Sequence, residues 1–266
     1  MLKHDDLILI LGITGTLGNA LRRTLEHEGF KNIIGSTTNA NLVSDEVFEF
    51  DCLLDSKLQR IANFLDAGAF TGKVALVINA IGVSGLVDLG KDKLHQTERI
   101  INLNLTFPIS LQILMSRYVR SGGTVAHIGS MSGRISAPYF EVYGTSKHAL
   151  RTFCRSYNSG IKPDIRAVHF EVGNFGGSMA DEVLRQLDMG AIGDEAVTEK
   201  FRSIAMKRLA MSPDATQVAK TIVDILAKGK SKNSHLILPD AQVRFFIWLL
   251  GLSPIYRRLI VRLIKG

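Results

Sequence analysis

Short apolar runs alternate with amphipathic helical patterns from the start of the chain, and this alternation restricts the fold more than any other feature. Leu7 to Leu11 is a continuous apolar run, which is typical of a parallel strand buried on both faces. A glycine-rich turn follows, and leucines then recur at helical spacing from Leu17 to Glu28, before Gly29 ends the pattern. A strand, a turn and a helix in this order predict the first half of a βαβ unit.

The same alternation continues along most of the 266 residues. It predicts further strands at 32–36, at a segment ending at residue 51, and at 73–79, 124–128, 165–170 and 235–238. It predicts further helices at about 55–67, 92–119, 141–158 and 215–227. Residues 1–240 are therefore expected to form one doubly wound α/β domain of the Rossmann type, with a parallel sheet of about seven strands and helices on both faces.

Residues 174–208 fall outside this alternation. They follow the C-terminal end of a predicted strand, where ligands bind in open parallel sheets. They also mix glycine with apolar side chains, namely Phe175, Met179, Leu184, Leu187 and Met189. We expect this segment to be a lid over the substrate.

The excess positive charge lies in the last forty residues. Of 32 basic and 25 acidic side chains, residues 227–266 hold eight basic groups and one acid, which leaves 24 of each sign elsewhere. The main domain therefore has no general attraction for polyanions, and no nucleic-acid partner is expected.

The tail at 241–266 contains an apolar run, Phe245 to Leu252, that is too short to span a bilayer. Basic residues are spaced among apolar ones after it, so the tail is predicted to be a basic amphipathic segment. Peripheral contact with an anionic membrane and packing against another subunit or the domain both remain open.

The N-terminus and the cysteines indicate a cytoplasmic protein, and membrane association through its tail stays open. Asp5 and Asp6 precede the first strand directly, so no cleavable signal sequence is expected. Cys52 and Cys154 have no metal-ligand spacing, and we expect reduced structural thiols and no metal site.

Small residues in the first strand-to-helix turn predict an anion site. Backbone amides and a helix N-terminus can approach a pyrophosphate closely there, although an ordinary tight turn would have the same spacing. The residues expected to contact the cofactor in this turn are Gly12, Thr14, Gly15, Thr16, Leu17 and Gly18.

The end of the second strand bears on the choice of cofactor. An acid here would bind a ribose 2′-hydroxyl and repel a 2′-phosphate, but the chain has Ser36, Thr37 and Thr38. Hydroxyl groups can donate to a phosphate, so NADP(H) is favoured over NAD(H). No arginine stands there to strengthen this preference.

Tyr143 and Lys147 are four residues apart at the start of a predicted helix, which places both on one face. A phenol that exchanges protons near neutrality needs its anion stabilised, and an adjacent ammonium group can do this. Such a pair also occurs by chance on solvated helices. Ser130, however, ends the preceding strand at the same sheet edge, where its hydroxyl could polarise a carbonyl.

The segment from Gly123 to Ser130, followed by Tyr143-x-x-x-Lys147, resembles the catalytic region of short-chain dehydrogenases/reductases. The resemblance implies that Tyr143 is a general acid in reduction and a base in oxidation, that Ser130 orients the oxygen, and that Lys147 also holds the nicotinamide ribose. It implies that Asn104 holds a water in a proton relay. Asn102 is the weaker alternative, and Asn104 could instead bond to a neighbouring strand.

Further segments are similar to family motifs for the cofactor. Asp51 and Cys52 resemble the acidic position beside the adenine, and the stretch after the fourth strand resembles an Asn-Asn-Ala-Gly motif. The remaining expected cofactor contacts are Asn79, Ala80, Ile81, Gly82, Gly173 and Phe175.

The chain also departs from the family pattern. Its glycine spacing is nearer the extended and atypical branches. In addition, Ile78 replaces the first asparagine, Val172 replaces the usual proline, and Gly176 to Ser178 replace a threonine-bearing stretch.

These features predict an NAD(P)(H)-dependent oxidoreductase that interconverts a ketone and a secondary alcohol, acting as a homodimer or homotetramer. The loop between Ser130 and Tyr143 is rich in apolar side chains, which favours an apolar substrate, although these side chains could merely pack under the loop. A dinucleotide-binding regulator or scaffold without turnover is the alternative. A sugar-nucleotide epimerase or dehydratase fits the glycine spacing but lacks the expected C-terminal domain.

Overall fold

The computed structural model describes residues 1–54, 58–91, 93–135, 137–160, 164–210, 212–229 and 232–237. Within them, seven parallel strands form one sheet in the order β3-β2-β1-β4-β5-β6-β7. The strands are β1 (Leu7–Leu11), β2 (Ile33–Thr37), β3 (Val47–Glu49), β4 (Val74–Asn79), β5 (Val119–Ser130), β6 (Arg166–Val172) and β7 (Ser234–Ile237). The strand order reverses between β1 and β4, which is the usual place for a ligand in such a sheet.

Helices cover both faces of the sheet. They are α1 (Thr16–His27), α2 (Gln59–Ala67), α3 (Leu94–Ile101), α4 (Phe107–Met115), α5 (Glu141–Ser159), α6 (Ser178–Asp188), α7 (Glu195–Ala210) and α8 (Ala215–Ala227). Apolar side chains of α1 and α8 pack against one face, and those of α2, α4 and α5 pack against the other. The predicted doubly wound α/β fold is confirmed.

The central strands are buried because both of their faces are covered. Ile8 to Leu11 in β1 and Val77 and Ile78 in β4 have no exposed surface. Successive side chains of a strand point to opposite faces, so Ile8 and Ile10 enter the core under α1 and α8, whereas Leu9 and Leu11 enter the other. This explains why the strands are continuous apolar runs.

The prediction of one helix over 92–119 is wrong at its C-terminal end. The helical segment ends at Met115, and Val119 already belongs to β5. Tyr118 is fully buried in the intervening turn, where its hydroxyl donates to Asp66 at 2.9 Å. The Tyr118 ring is therefore buried in the turn between α4 and β5, and it does not mark the buried face of a helix. β5 is correspondingly longer than the predicted 124–128.

A π-helical turn, Asn102–Thr106, separates α3 from α4. The Phe107 amide donates to the Asn102 carbonyl five residues earlier, and Pro108 follows without an amide hydrogen. Pro108 cannot donate a hydrogen bond to the carbonyl of Asn104, four residues before it. The wider π-helical turn accommodates the absence of this α-helical bond. Sequence periodicity did not indicate this turn.

The remaining differences are small or lie outside the described residues. α2 begins at Gln59, after Leu58 in a left-handed conformation, and residues 55–57 of the predicted helix are not described. The expected tail at 241–266 and Leu238 of the last predicted strand also lie outside the described residues. No helix in the described part of the chain is both long and apolar enough to cross a membrane.

Gly18 allows the first helix to approach the first turn. A Cβ atom at residue 18 would lie 2.0 Å from the Gly12 carbonyl oxygen, which is backbone and cannot rotate away. We expect Gly18→Ala to lower the free energy of unfolding by roughly 2–4 kcal/mol, because α1 must move away from β1. Chemical denaturation measures this change.

Gly160, at the end of α5, provides the control. A Cβ there would lie 3.5 Å from the nearest heavy atom, the Tyr157 carbonyl oxygen, which is an ordinary contact. Gly160→Ala should therefore shift the unfolding free energy by at most about 1 kcal/mol. Equal effects of the two substitutions would contradict the close approach at Gly18.

Candidate active site

Four strands end side by side at one edge of the sheet. Leu11 of β1 pairs with Asn79 of β4, Asn79 pairs with His127 of β5, and Ser130 of β5 pairs with Val172 of β6. The segments that leave these strands carry most of the predicted site residues. The topology therefore brings the glycine turn and the start of α5 to the same edge.

The glycine turn has the conformation expected of an anion site. Gly12 has φ +78°, which glycine adopts without strain, and a Cβ there would lie 3.2 Å from the Ile81 side chain. Gly15 is the N-cap of α1, so no side chain caps this helix end, and Thr16 and Leu17 begin the helix. The backbone amides at this end face the position that a pyrophosphate would take.

The three hydroxyl residues at the C-terminal end of β2 have different surroundings. Ser36 is buried, and its Oγ accepts the Gly12 amide at 3.1 Å. Thr37 is also buried, and its Oγ1 lies 2.9 Å from Thr14 Oγ1 and accepts the Asn39 amide at 3.1 Å. Ser36 and Thr37 therefore brace the glycine turn, and direct contact of their hydroxyls with the cofactor stays a prediction. Thr38 is exposed.

Asp51 and Cys52 follow β3 at the outer end of this edge. Asp51 Oδ1 accepts the Leu53 amide at 2.8 Å, which fixes the turn after the strand. Cys52 is half-buried, and burial, followed by the nearby Asp51 charge, raises the pKa of its thiol to about 12. Cys154, inside α5, is buried and has its pKa raised to about 12 by burial. Both thiols are therefore protonated and unreactive near neutral pH.

The segment after β4 turns back toward β1. Asn79 is buried and its Oδ1 accepts the Ile81 amide at 3.1 Å, while the Ala80 amide donates to the Leu11 carbonyl at 3.0 Å. Gly82 follows at a crowded position. A Cβ there would lie 3.1 Å from Asn104 Oδ1 and 3.2 Å from Lys147 Nζ.

Asn104 lies in the π-helical turn and is fully buried. Its Oδ1 accepts the Val83 amide at 3.0 Å, and its Nδ2 donates to the Val83 carbonyl at 2.8 Å and to Ser146 Oγ at 3.3 Å. Asn104 thus bonds to the chain leaving β4 and also lies beside Lys147. The alternative residue, Asn102, is exposed.

Tyr143 and Lys147 lie on the buried face of α5, as their spacing predicted. Tyr143 is 5% exposed and Lys147 is 3% exposed. The Tyr143 hydroxyl is hydrogen-bonded to the Ser130 side chain, and Lys147 Nζ lies 5.8 Å from the centre of the Tyr143 ring. Lys147 Nζ also donates to the Ile128 carbonyl at 3.4 Å. The structure therefore brings Ser130, Tyr143, Lys147 and Asn104 together.

Burial dominates the ionisation of this pair. Burial raises the pKa of Tyr143 above its usual value of 10.0, and the hydrogen bond with Ser130 offsets part of that effect. Burial lowers the pKa of Lys147 to about 8. The net shift of the Tyr143 pKa is upward, contrary to the expectation that Lys147 lowers it, because burial outweighs the contacts that stabilise the anion. The phenol is therefore protonated at neutral pH.

Sequence reasoning missed a polar layer beneath α4 and α5. His127 and His169 are paired across β5 and β6, and burial lowers the pKa of each to about 3, so both are neutral. His127 Nε2 lies 3.1 Å from Gln112 Oε1 of α4. Two residues beyond His169 on β6, the fully buried Glu171 pairs with Gly129 and contacts Arg134. The only available signal was a row of polar residues inside strand patterns that are otherwise apolar.

Within the expected lid at 174–208, α6 (Ser178–Asp188) is followed by α7 (Glu195–Ala210), which ends two residues beyond it. Leu187, Ile192 and Phe201 form a buried cluster with Leu86, which follows β4. Phe140 connects this cluster to Tyr143, because its ring centre lies 6.5 Å from that of Phe201 and 6.2 Å from that of Tyr143. The lid segment therefore packs over the Tyr143 side of the site.

The segment that joins β6 to the lid crosses the glycine turn. Gly173 donates its amide to the Ile237 carbonyl at 3.0 Å, and Phe175 packs against the core under α1 and α8. A Cβ at Gly177 would lie 2.6 Å from Thr16 Cγ2. Gly173 and Phe175 therefore lie near the predicted cofactor path, with the Phe175 ring directed largely into the core.

Comparison with known proteins agrees with this geometry. The family described as short chain dehydrogenase matches residues 6–188, which is more than half of the chain. The protein belongs to the short-chain dehydrogenase family. It is therefore an oxidoreductase of the dehydrogenase/reductase type, as the resemblance implied.

Individual members of the family are distant in sequence. The chain is 24% identical over 234 residues to a benzil reductase, (S)-benzoin forming, from Bacillus subtilis, covering 84% of this chain and 94% of that protein. Aldohexose dehydrogenase from Thermoplasma acidophilum has a TM-score of 0.72 at 16% identity, with 91% and 95% of the two chains covered. A Burkholderia cenocepacia short-chain dehydrogenase in complex with NADP has a TM-score of 0.67 at 14% identity, with 98% and 100% covered.

Lys147 is a buried cation and should destabilise the fold. We expect Lys147→Met to raise the free energy of unfolding at pH 7 by roughly 1–3 kcal/mol, because the methionine carries no charge into this site. Thermal or chemical denaturation of both proteins measures the difference.

The pH dependence supplies the control for this prediction. The pKa of Lys147 is about 8 in the folded protein against 10.5 ordinarily, so the unfolded chain binds more protons between these values. Wild-type stability should therefore gain from this group as the pH rises from about 8 to 10.5, and Lys147→Met should lose that gain. An unchanged pH profile in the variant would contradict the depressed pKa.

Proposed function

We propose that the protein is an NAD(P)(H)-dependent oxidoreductase that interconverts a largely apolar ketone and its secondary alcohol. One observation carries the proposal: a buried phenol, Tyr143, is hydrogen-bonded to Ser130 at the same sheet edge as the glycine turn. A protonated phenol and a hydroxyl at one point can hold and protonate a carbonyl oxygen.

In the reductive direction, Tyr143 donates its proton to the substrate oxygen while Ser130 hydrogen-bonds that oxygen. A bound reduced nicotinamide would supply a hydride to the carbonyl carbon. Proton transfer from Tyr143 completes the secondary alcohol and leaves the phenol as a phenolate. Lys147 stabilises the phenolate by charge. Asn104 lies near Lys147 at Gly82 and holds a water through which a proton returns to Tyr143 by way of Lys147.

The residues at the sheet edge fit a nicotinamide dinucleotide. The glycine turn presents the backbone amides at the start of α1 to a pyrophosphate, and Gly82 lets the chain leaving β4 pass close to Asn104 and Lys147. We propose NADP(H) as the preferred form. The exposed hydroxyl of Thr38 supports this preference, as does the Burkholderia relative in complex with NADP.

An acid in place of Thr38 tests the cofactor preference. We expect Thr38→Asp to weaken NADP(H) binding at least about tenfold, because a carboxylate repels the 2′-phosphate, and to leave NAD(H) binding within about threefold of wild type. Calorimetric titration with both dinucleotides measures the two affinities. Thr38→Asn keeps the size of the side chain without its charge and should retain the preference.

A parallel loss of affinity for both dinucleotides in Thr38→Asp would contradict the placement of the 2′-phosphate. Wild-type affinity for NAD(H) equal to or above that for NADP(H) would contradict the preference itself. Binding of neither would contradict the proposed cofactor class.

Aromatic and aliphatic side chains around Tyr143 support an apolar substrate. Val87 and Ile100 pack against Tyr143 in a buried cluster, and Phe140 lies beside it with Phe201 beyond. A substrate that replaces these contacts must offer apolar surface of its own. The Bacillus relative that reduces benzil is consistent with this chemistry.

Three further assignments belong to the same proposal. Residues 174–208 act as the lid over the substrate, since α6 and α7 pack over the Tyr143 side of the site. The protein assembles as a homodimer or homotetramer and works in the cytoplasm. Light scattering of the purified protein and localisation of a tagged chain would test the last two.

The Tyr143 hydroxyl is the decisive group in the proposed reaction. We expect Tyr143→Phe to lower kcat for ketone reduction by at least about a hundredfold, because the general acid is removed. Cofactor affinity should change less than about threefold, since the ring remains. Loss of the reduced-nicotinamide absorbance with benzil and a panel of aryl ketones measures turnover.

Tyr157 offers a matched control on the same helix. It lies near the C-terminal end of α5 and packs against Phe153. Tyr157→Phe should retain wild-type turnover. If Tyr143→Phe reduces ketones as fast as wild type, Tyr143 is not the general acid. If the wild-type protein binds cofactor but turns over no carbonyl, the alternative of a regulator or scaffold is favoured.

A further inference from the structure

Glu171 is a buried carboxylate next to the site that the proposed reaction does not use. It is the last residue but one of β6, and its side chain has no exposed surface. Its pairing partner across the sheet is Gly129, the residue before Ser130. Burial disfavours the charged form of a carboxylate. A buried carboxylate therefore stays ionised only if hydrogen bonds and positive charges offset that cost.

Two arginines and a serine supply that compensation. Arg134 Nη2 donates to Glu171 Oε1 at 3.0 Å, and Arg134 Nε donates to the other carboxylate oxygen, which makes the contact a two-bond fork. Arg151 Nη1 lies 3.7 Å from Oε2, and the Ser234 hydroxyl donates to Oε1. Burial raises the pKa of Glu171, but these hydrogen bonds and charges outweigh it and hold the pKa below its usual value. Glu171 is therefore ionised at neutral pH.

Arg134 ends the short turn that begins at Ser130. The Arg134 amide donates to the Met131 carbonyl at 2.8 Å, and the Ser132 amide donates to Ser130 Oγ at 3.1 Å. Fixing the Arg134 side chain against β6 thus restrains a turn only five residues long. The same turn orients the Ser130 hydroxyl, because Ser132 binds to it.

The turn is also attached to α5, which carries Tyr143. The Gly133 carbonyl is 2.8 Å from His148 Nδ1, and a Cβ on Gly133 would lie 2.9 Å from the His148 amide nitrogen. Arg151, one helical turn after Lys147, approaches Glu171 from the same helix. A single carboxylate on β6 therefore connects the Ser130 turn with the helix that bears the phenol.

We propose that Glu171 is a positioning residue that acts through Arg134 to hold Ser130 against Tyr143. The proposal rests on the proposed function for its catalytic consequence. An ion pair buried in this way is a poor source of net stability, but a two-bond fork fixes geometry closely. A small displacement of an orienting hydroxyl is sufficient to slow a reaction greatly.

The first experiment needs no substrate. Hydrogen exchange followed by mass spectrometry should show faster exchange of residues 131–135 in Glu171→Gln than in wild type, because the turn loses its anchor. Arg120→Gln is the matched control, since it breaks an arginine–carboxylate contact of 2.9 Å with Asp6 at the opposite end of the sheet. Exchange at 131–135 should not change in that variant. Unchanged exchange in Glu171→Gln would overturn the proposal.

The second experiment separates positioning from general support of the fold. With benzil and the reduced cofactor, Glu171→Gln should lower kcat by roughly tenfold to a hundredfold, with KM and cofactor affinity changed less than about threefold. In a Ser130→Ala background the same substitution should lower kcat by less than about threefold, because the hydroxyl that it positions is already absent. Arg120→Gln should leave kcat unchanged in both backgrounds.

If Glu171→Gln lowers kcat as much in the Ser130→Ala background as in wild type, Glu171 does not act through Ser130. That result would overturn the proposal. If Glu171→Gln does not fold, Arg134→Gln removes the same contact by changing the partly exposed arginine. The same results are then expected of Arg134→Gln. A different result marks failure of the proposed function: wild-type protein that reduces no carbonyl, or Ser130→Ala with full activity. The exchange experiment still decides in that case whether Glu171 anchors the turn.

Discussion

Burial of the Tyr143–Lys147 pair is the constraint on which the site depends. Both side chains are almost fully buried, and burial moves their pKa values in directions that favour the neutral forms. The phenol is consequently a proton donor until positive charge is brought to its oxygen. Under the proposed function, a bound oxidised nicotinamide would supply that charge and would couple the ionisation of Tyr143 to occupation of the glycine turn at the same sheet edge.

The fold was predictable because buried parallel strands have an unmistakable sequence pattern. The apolar runs at Leu7 to Leu11 and Val74 to Ile78, and the helical patterns of α1 and α8, correspond to elements whose packing uses those same side chains. The ends of elements were less predictable. The helix before β5 was overextended because Tyr118 and Val119 are apolar for a different reason, namely their burial in a turn and at a strand end.

The candidate site could be predicted where local spacing determines geometry. The spacing of Tyr143 and Lys147 on α5 places them on one face, and the sheet topology adds Ser130. Hydrogen-bond partners could not be predicted in this way. Ser36 and Thr37 have the chemistry of phosphate donors, and no spacing indicates that their hydroxyl oxygens also bond to the glycine turn. The role of Glu171 depends on Arg134, thirty-seven residues away, and no local pattern indicates such a contact.

The most direct test is the ionisation of the Tyr143 phenol, measured as the ultraviolet difference between wild type and Tyr143→Phe during a pH titration. In the free protein this phenol should titrate above the ordinary value of 10.0 because it is buried. With the oxidised dinucleotide bound, its pKa should fall by at least about one unit, because positive charge then lies near the phenolate. A phenol that titrates at the ordinary value and ignores the cofactor would contradict the account.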